Sequence, residues 1–318
     1  MITEHLSETP VIAIIGAGTI GMAWSVVFAS AGLETRLFDA GPGQAEKAKE
    51  TAARRLADLA NHGLIEEDLA AILARIHPAE TLDEALSGAS HVQENVPEDL
   101  SLKHKVLADV LATAPRDCVI ASSTSFIEPT RLFSEMPGRE RCLVIHPGNP
   151  PFLIRVTEIV PAPFTAPETT SRAEALMAHV DMGPVRVNHE PEGFAFNRLQ
   201  GALLREAYCL VRDGIVTPDE IDRMVRDGLG LRLSVTGPFE NADLNAPGGI
   251  EGHAERMGPS YYRLGQERGQ DDPWTADMVA TVSAARRAKL PMDDRAERAA
   301  WRDQAVMRVM KARKDAGV

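Results

Sequence analysis

The chain has 318 residues, of which 44% are hydrophobic and 25% charged; this is typical of a globular protein, and the length favours two domains. Its formal net charge of −12 argues against nucleic acids and anionic membranes as partners. No apolar run is long enough to span a bilayer, and residues 1–10 lack the apolar segment of a signal peptide. The three widely spaced cysteines suggest neither a disulfide framework nor a zinc site. We therefore expect a cytoplasmic protein without a metal centre.

The first predicted element is a buried strand at Val11–Ile15, because five apolar and mostly β-branched residues follow one another there. Gly16, Gly18 and Gly21 come next in the spacing G-x-G-x-x-G, and the apolar residues after them predict a helix. Gly16 permits a tight turn, Gly18 lets the backbone approach a pyrophosphate, and Gly21 allows the helix to pack on the strand. The N-terminus of that helix would attract the phosphates of a dinucleotide.

The second predicted strand, Leu33–Phe38, ends in Asp39, about 20 residues after the glycine motif, where a carboxylate can accept hydrogen bonds from an adenosine ribose. An acid at this position repels a 2′-phosphate, and the next two residues supply no arginine to bind one. The pattern therefore predicts NAD rather than NADP. The predicted cofactor-binding residues of this region are Gly16, Gly18, Thr19, Ile20, Gly21 and Asp39.

Further strands and helices alternate as far as Asn188, which predicts an α/β fold with a doubly wound, mostly parallel sheet of the Rossmann type. From Gly193 the chain is predicted to be helical, except for a glycine- and proline-rich loop over Gly228–Gly252, with a last helix at about Arg295–Lys314. We therefore expect an NAD-binding domain at residues 1–190 and an all-α substrate and dimerisation domain at residues 191–318.

Ligands of open α/β sheets bind beyond the carboxyl ends of the strands, which directs attention to His146. This histidine ends a predicted strand and precedes a proline-rich loop, and histidine suits proton transfer near neutral pH. On position alone, a general base and a hydrogen-bonded structural histidine are equally compatible with the sequence.

Six motifs together resemble the L-3-hydroxyacyl-CoA dehydrogenase superfamily, and within it most closely the lambda-crystallin/L-gulonate 3-dehydrogenase branch. The resemblance covers nearly the whole chain, and the combination of motifs is specific where the glycine motif alone is not. The motifs are Gly16–Gly21, Val96–Leu100 with Lys103, Ser122–Ser125, His146–Pro151, Gly193–Gln200 and Gly228–Arg232.

The resemblance implies a role for each matching residue. His146 corresponds to the catalytic histidine and Glu158 to the glutamate that pairs with it and would stabilise an imidazolium. Ser125 and Asn197 match the polar residues that bind the reacting oxygen, although Ser122 and Ser123 could replace Ser125, and Asn197 could simply begin a helix. Two further matches, Glu98 and Lys103, would contact the cofactor. Arg232 could bind a substrate carboxylate or form an ion pair elsewhere.

These roles imply NAD-dependent oxidation of a small molecule, an L-3-hydroxy acid such as L-gulonate. The resemblance also implies a homodimer, because the helical second domain of this family usually dimerises. The alternatives are the same chemistry on a 3-hydroxyacyl-CoA thioester or on carnitine, and a non-catalytic NAD-binding structural protein. Gly148 departs from the family pattern, which commonly has a bulkier residue at this position. We expect the smaller residue to enlarge the pocket or loosen the loop, and so to affect the choice of substrate.

Overall fold

The computed structural model describes the chain as two compact units. The first extends to Arg198 and also includes Val306–Lys311, whereas the second comprises Leu199–Ala305 and the residues from Ala312 onward. The structure describes residues 10–234, 236–246, 249–268, 277, 284, 288, 291 and 293–317. Most of the helical stretch predicted between residues 269 and 292 thus lies outside the described residues.

The first unit contains an eight-stranded sheet in the order β3-β2-β1-β4-β5-β6-β7-β8. All neighbouring strands are parallel except β6 and β7, which are antiparallel. The order of the first six strands is that of a dinucleotide-binding fold, and it confirms the predicted doubly wound, mostly parallel sheet. The strands are β1 (Val11–Ile15), β2 (Thr35–Phe38), β3 (Ile76–Pro78), β4 (Ala89–Glu94), β5 (Val119–Ser122), β6 (Cys142–Pro147), β7 (Thr157–Pro161) and β8 (Pro184–Arg186).

Helices cover both faces of the sheet, and polar side chains begin three of them. Asp68, Thr81 and Asp99 each accept a hydrogen bond from a backbone N–H group in the first turn of α3, α4 and α5. The helices are α1 (Thr19–Ser30), α2 (Gln44–Asn61), α3 (Leu69–Ala74), α4 (Leu82–Leu86), α5 (Leu100–Thr113), α6 (Pro129–Phe133) and α7 (Pro167–His179).

The sequence does not predict the short edge strand β3, because the residues from Pro42 to about Ile76 have the composition of helices. Ile76 pairs with Thr35 of β2, and Pro78 is tolerated because β3 is an edge strand. Three residues are too few for an alternating pattern of apolar and polar side chains to be recognised.

The described residues beyond the sheet are mainly helical, as predicted, but the prediction of a loop over Gly228–Gly252 is wrong. The described residues of this stretch include two short helices, the second of which begins with Pro238, and the first residues of a third helix that begins with Gly249. Proline is favoured in the first helical turn, so Gly237-Pro238 marks a helix start rather than a loop. The elements are α8 (Phe196–Arg212), α9 (Pro218–Met224), a π-helical turn (Val225–Leu229), α10 (Gly230–Leu233), α11 (Pro238–Leu244), α12 (Gly249–Arg268) and α13 (Arg295–Ala316).

The largest buried cluster lies on one face of the sheet and includes Trp24, Phe28 and Ile72, all fully buried. Met307 of α13 is buried in the same cluster, and Met310 packs against it. These two methionines belong to the first unit and pack on its core. No helix among the described residues is long and apolar enough to cross a membrane.

Candidate active site

The glycine turn after β1 has the geometry that its spacing predicts. Gly16 has a φ of +97°, and a Cβ atom there would lie 2.8 Å from the carbonyl carbon of Asn95. A Cβ atom at Gly21 would lie 1.9 Å from the carbonyl oxygen of Gly16, so neither position accepts a side chain. By contrast, nothing lies within 4 Å of the Cβ position of Gly18. The backbone at Gly18 is therefore open to a ligand.

The first turn of α1 is available for anion binding. Gly18 is its N-cap residue and provides no side-chain hydrogen bond, while Thr19 is exposed and Ile20 half-buried. The free N–H groups and the positive end of the helix dipole favour a phosphate at this position.

The Asp39 carboxylate is fixed beside this turn. One of its oxygens accepts a hydrogen bond from Ala17 N (2.7 Å) and the other from Gly41 N (2.8 Å). Each carboxylate oxygen can accept a further hydrogen bond, which leaves capacity for ribose hydroxyl groups. The structure thus places Asp39 with the glycine turn, as expected for a ribose-binding acid.

A cavity of about 950 Å³ joins these groups to the ends of β4 and β5. Its volume is within the range of cofactor sites, and its walls combine the open face of Gly18, the acid Asp39 and apolar side chains such as Val106. The residues present therefore fit a dinucleotide. The predicted cofactor residues that line the cavity are Gly16, Gly18, Thr19, Ile20, Asp39, Glu98 and Lys103.

His146 and Glu158 form a buried pair across the antiparallel strands β6 and β7, where they occupy directly opposite positions. The distance from His146 Nδ1 to Glu158 Oε2 is 2.7 Å, and the two residues are 6% and 4% exposed. A carboxylate only accepts hydrogen bonds, so His146 donates from Nδ1, and its Nε2 is left as the proton acceptor. Nε2 makes no hydrogen bond within the described residues.

The second oxygen of Glu158 accepts hydrogen bonds from Ala195 N (2.6 Å) and Phe196 N (2.9 Å) at the start of α8. Burial raises the pKa of Glu158, but the hydrogen bond from His146 and those from the two backbone N–H groups outweigh it, so the pKa is below its ordinary value. Glu158 is thus held as a carboxylate, and it joins His146 to the helix that carries Asn197.

Two phenylalanine rings flank the imidazole. The ring centroids of Phe194 and Phe196 lie 5.7 and 6.4 Å from that of His146. Phe194 is fully buried and has a φ of +46°, an unfavourable conformation for an aromatic residue. Both residues belong to the motif Gly193–Gln200, but the sequence predicts no role for either of them.

The three serines at the end of β5 and in the turn after it differ in the hydrogen bonds of their hydroxyl groups. Ser122 donates to Glu94, whereas Ser123 accepts from Trp24 Nε1 and Gln93 Nε2 and donates to Asn95 Oδ1. The bonding capacity of the Ser123 hydroxyl is therefore filled.

Within the described part of the chain, the Ser125 hydroxyl makes no hydrogen bond. Ser125 also lies beside Asn197, whose Nδ2 donates to the Ser125 carbonyl oxygen (3.3 Å). Of the three candidate serines, Ser125 thus retains a free hydroxyl group next to Asn197.

Glu98 and Lys103, predicted from the sequence to contact the cofactor, also bind other protein groups. Lys103 is 1% exposed, and its ammonium group lies 2.9 Å from Glu94 Oε1. One oxygen of Glu98 accepts hydrogen bonds from Ser125 N (2.9 Å) and Phe126 N (3.1 Å). The partner Glu94 was missed because it lies within a predicted strand and precedes the motif that contains Glu98.

Gly148 does not enlarge a pocket, contrary to one of the expected effects. A Cβ atom at Gly148 would lie 2.2 Å from Cγ2 and 2.8 Å from Cβ of Ile154 in the same loop. The Ile154 side chain thus occupies the space that a bulkier residue would take. Arg232 lies on α10 of the second unit and is exposed, and its contact with a substrate stays a prediction.

Comparison with known proteins identifies the family. Residues 11–190 match the model of the 3-hydroxyacyl-CoA dehydrogenase NAD binding domain, and residues 193–290 match that of the 3-hydroxyacyl-CoA dehydrogenase C-terminal domain. The lambda-crystallin homolog of Bos taurus is 39% identical over 302 residues, which are 94% of each chain. The L-carnitine dehydrogenase of Oceanobacillus iheyensis is 36% identical over 250 residues, or 78% of this chain and 80% of that one.

Solved structures agree with this assignment. One is the 5-dehydrogenase of 5-formyl-3-hydroxy-2-methylpyridine 4-carboxylic acid, an NAD⁺-dependent dismutase. Its structure matches with a TM-score of 0.73 at 28% identity, and the match covers 87% of each chain. The (S)-3-hydroxybutyryl-CoA dehydrogenase PaaH1 from Ralstonia eutropha has a TM-score of 0.64 at 27% identity, covering 81% of this chain and 88% of its own. The chain therefore belongs to the 3-hydroxyacyl-CoA dehydrogenase family, and it is an NAD-dependent dehydrogenase of 3-hydroxy compounds.

Proposed function

We propose that the protein oxidises the 3-hydroxyl group of a small L-3-hydroxy acid, with L-gulonate as the first candidate, to the 3-keto acid. The observation that carries this proposal is the buried His146–Glu158 pair, in which Nδ1 is bound to a carboxylate and Nε2 makes no hydrogen bond within the described residues. A base of this kind suits a secondary alcohol, which must lose its hydroxyl proton as the hydride leaves carbon.

The glycine turn and Asp39 would hold NAD, which when bound would supply the hydride acceptor for the substrate carbon. His146 takes the hydroxyl proton at Nε2, and Glu158 stabilises the resulting imidazolium through Nδ1–H. The Ser125 hydroxyl and the Asn197 amide would bind the reacting oxygen, and so hold the alcohol during oxidation and polarise the carbonyl during reduction. Arg232 would bind the carboxylate of the acid.

The charge of α2 favours a small acid over a CoA thioester. Exposed Lys47 on this helix is flanked by exposed Glu46 and Glu50, so the surface that follows Asp39 carries both signs. A thioester would need a basic groove for the phosphates of CoA, and alternating charges do not provide one. Carnitine, a 3-hydroxy acid with a cationic end, is the second candidate because L-carnitine dehydrogenases are among the relatives.

A nicotinamide absorbance assay tests the proposal, with NAD and a panel of L-gulonate, L-3-hydroxybutyrate, L-carnitine and L-3-hydroxybutyryl-CoA. We expect kcat/KM to be highest for L-gulonate. A preference for the thioester or for carnitine would keep the chemistry and replace the substrate. The absence of NADH formation with every member of the panel would refute the proposed reaction.

We also propose that residues 1–190 form the NAD-binding domain and that residues 191–318 form a helical domain for substrate binding and dimerisation. The two family models support this boundary, because they match on either side of it. Light scattering after size exclusion should give the mass of a homodimer, whereas a monomer at assay concentration would contradict the proposed assembly.

A further inference from the structure

A buried ion pair lies at the wall of the cavity, where Glu94 at the end of β4 contacts Lys103 of α5. Glu94 is 0% exposed and Lys103 is 1% exposed. The Lys103 ammonium group lies 2.9 Å from one carboxylate oxygen of Glu94 and 3.2 Å from the other. The two side chains are therefore joined tightly within the protein interior.

Folding stability alone does not account for this pair. Lys103 lies near the N-terminus of α5, where the helix dipole disfavours a positive charge. Buried ion pairs also lose the hydration of both charges, and replacement by apolar residues of similar size is often neutral or stabilising. The connections of the pair to the surrounding loops offer a better explanation.

The pair binds the segments that follow β4 and β5. Glu94 accepts hydrogen bonds from Val96 N (2.6 Å) and from the Ser122 hydroxyl. Lys103 donates to the Val96 carbonyl oxygen (3.0 Å) and lies 3.5 Å from a carboxylate oxygen of Glu98. The ion pair thus fixes the backbone at Val96, the side chain of Glu98 and the end of β5.

Glu98 extends the network to the turn that carries Ser125. Its Oε1 atom accepts hydrogen bonds from Thr124 Oγ1 (2.5 Å), Ser125 N (2.9 Å) and Phe126 N (3.1 Å). The two loops, residues 95–98 and 123–126, both line the cavity. A displacement of the ion pair would therefore move both loops relative to each other.

We propose that Glu94 is a positioning residue, which acts with Lys103 to set the loops 95–98 and 123–126 in the register that NAD and the reacting oxygen require. Glu94 acts through its neighbours, because its side chain is fully buried. Lys103 lines the cavity, and its ammonium group contacts both carboxylates, so it links the buried Glu94 to Glu98 at the cavity wall. The inference rests on the proposed function only where turnover is measured, because the Kd for NAD is measured without a substrate.

The test is the double variant Glu94→Met with Lys103→Met, which removes both charges at similar volume. We expect its thermal midpoint to stay within about 4 °C of the parent protein, since apolar pairs can replace buried ion pairs. The Kd for NAD, measured by calorimetry, should rise at least about tenfold, and kcat should fall by about 10²-fold, as expected for a displacement of about 1 Å. Glu174→Met with Arg186→Met removes an exposed ion pair of the same unit as a matched control.

Ser122→Ala supplies a second, milder test, because it removes the link from Glu94 to the end of β5 together with the hydrogen bond that Thr124 N donates to the same hydroxyl group (3.2 Å). We expect kcat to fall about tenfold with the Kd for NAD unchanged, since the loop 95–98 keeps its contacts. An unchanged Kd and kcat/KM in the folded double variant would overturn the inference. So would a loss of folding in the double variant together with full activity of Ser122→Ala.

These results are distinguishable from failure of the proposed function. If the parent protein oxidises no hydroxy acid, the proposed reaction fails, but the Kd for NAD of the parent and the double variant still tests the positioning role. An unchanged Kd for NAD in the folded double variant would then overturn the inference by itself.

Discussion

Replacement of Glu158 by glutamine should abolish most of the activity while leaving NAD binding intact. The Glu158 carboxylate accepts three hydrogen bonds, one from His146 Nδ1 and two from the backbone at the start of α8. A glutamine has one accepting oxygen, and the two backbone N–H groups require it. Its NH₂ group must then face His146 and donate to Nδ1, so the imidazole carries its proton on Nε2.

An imidazole with a proton on Nε2 cannot accept the substrate proton at that atom. The expected loss is that of general base catalysis, about 10²–10⁴-fold in kcat. This corresponds to about 3–5.5 kcal/mol of transition-state stabilisation. The two backbone hydrogen bonds are retained, so the free energy of unfolding should fall by only about 1–2 kcal/mol.

Steady-state turnover with saturating NAD, calorimetric binding of NAD and urea unfolding separate these effects. Glu190→Gln is the matched control, because Glu190 also accepts a backbone hydrogen bond at a helix start, from Thr130 N (2.6 Å). A Glu158→Gln protein that keeps kcat within tenfold of the parent would refute the proposed role of the His146–Glu158 pair as the general base. Equal losses of turnover and NAD affinity would indicate misfolding instead.

Four further outcomes follow from the same contacts. His146→Gln should lower kcat by about 10²–10⁴-fold with little change in the Kd for NAD, which the same two assays measure. Asp39→Asn should raise the Kd for NAD about tenfold and reduce the ratio of the Kd values for NADP and NAD, because a charged acceptor is lost. Parallel calorimetric titrations measure both values, and an unchanged ratio would contradict the ribose contact. Gly148→Ala should lower the urea midpoint because its Cβ would meet Ile154, and Ile154→Ala in the same chain should restore it; purely additive losses would disprove the contact. Burial lowers the pKa of His91 from 6.5 to about 4, so between these pH values the unfolded chain binds a proton that the folded chain does not. The free energy of unfolding should therefore decrease as the pH is lowered from 6.5 to 4, by up to about 1.4 kcal/mol per pH unit. Urea unfolding at a series of pH values measures this dependence, which His91→Gln should reduce.

The cofactor region was predictable because its requirements are local in sequence. Gly16 and Gly21 must be glycines where their Cβ positions meet the backbone, and their spacing follows from one turn between a strand and a helix. Asp39 directly follows β2, which pairs with β1. The parallel sheet follows in turn from alternating apolar strands and helices.

The use of each polar group depends on distant partners and could not be predicted. Nothing in the run Ser122–Ser125 shows that Ser123 accepts from Trp24, which lies 99 residues away. The sequence also does not show that the Ile154 side chain occupies the space beside Gly148. Lys103 could be matched to a cofactor contact by motif, but its direction toward Glu94 depends on the packing of α5 against the sheet.

The distribution of these groups suggests that the reaction and the choice of substrate are specified by different parts of the chain. The proposed base, its carboxylate and the two oxygen-binding residues all belong to the first unit, and the hydrogen bonds of Glu158 to Ala195 and Phe196 bring the start of α8 into the same set. Arg232, the residue proposed to recognise the acid, lies on α10 of the second unit. Substitution of Arg232 should therefore raise KM for an acid with little effect on kcat. Substitution of His146 or Glu158 should instead lower kcat with little effect on KM. A chain organised in this way can change its substrate without losing its chemistry, because the residues that select the acid are not those that remove its proton.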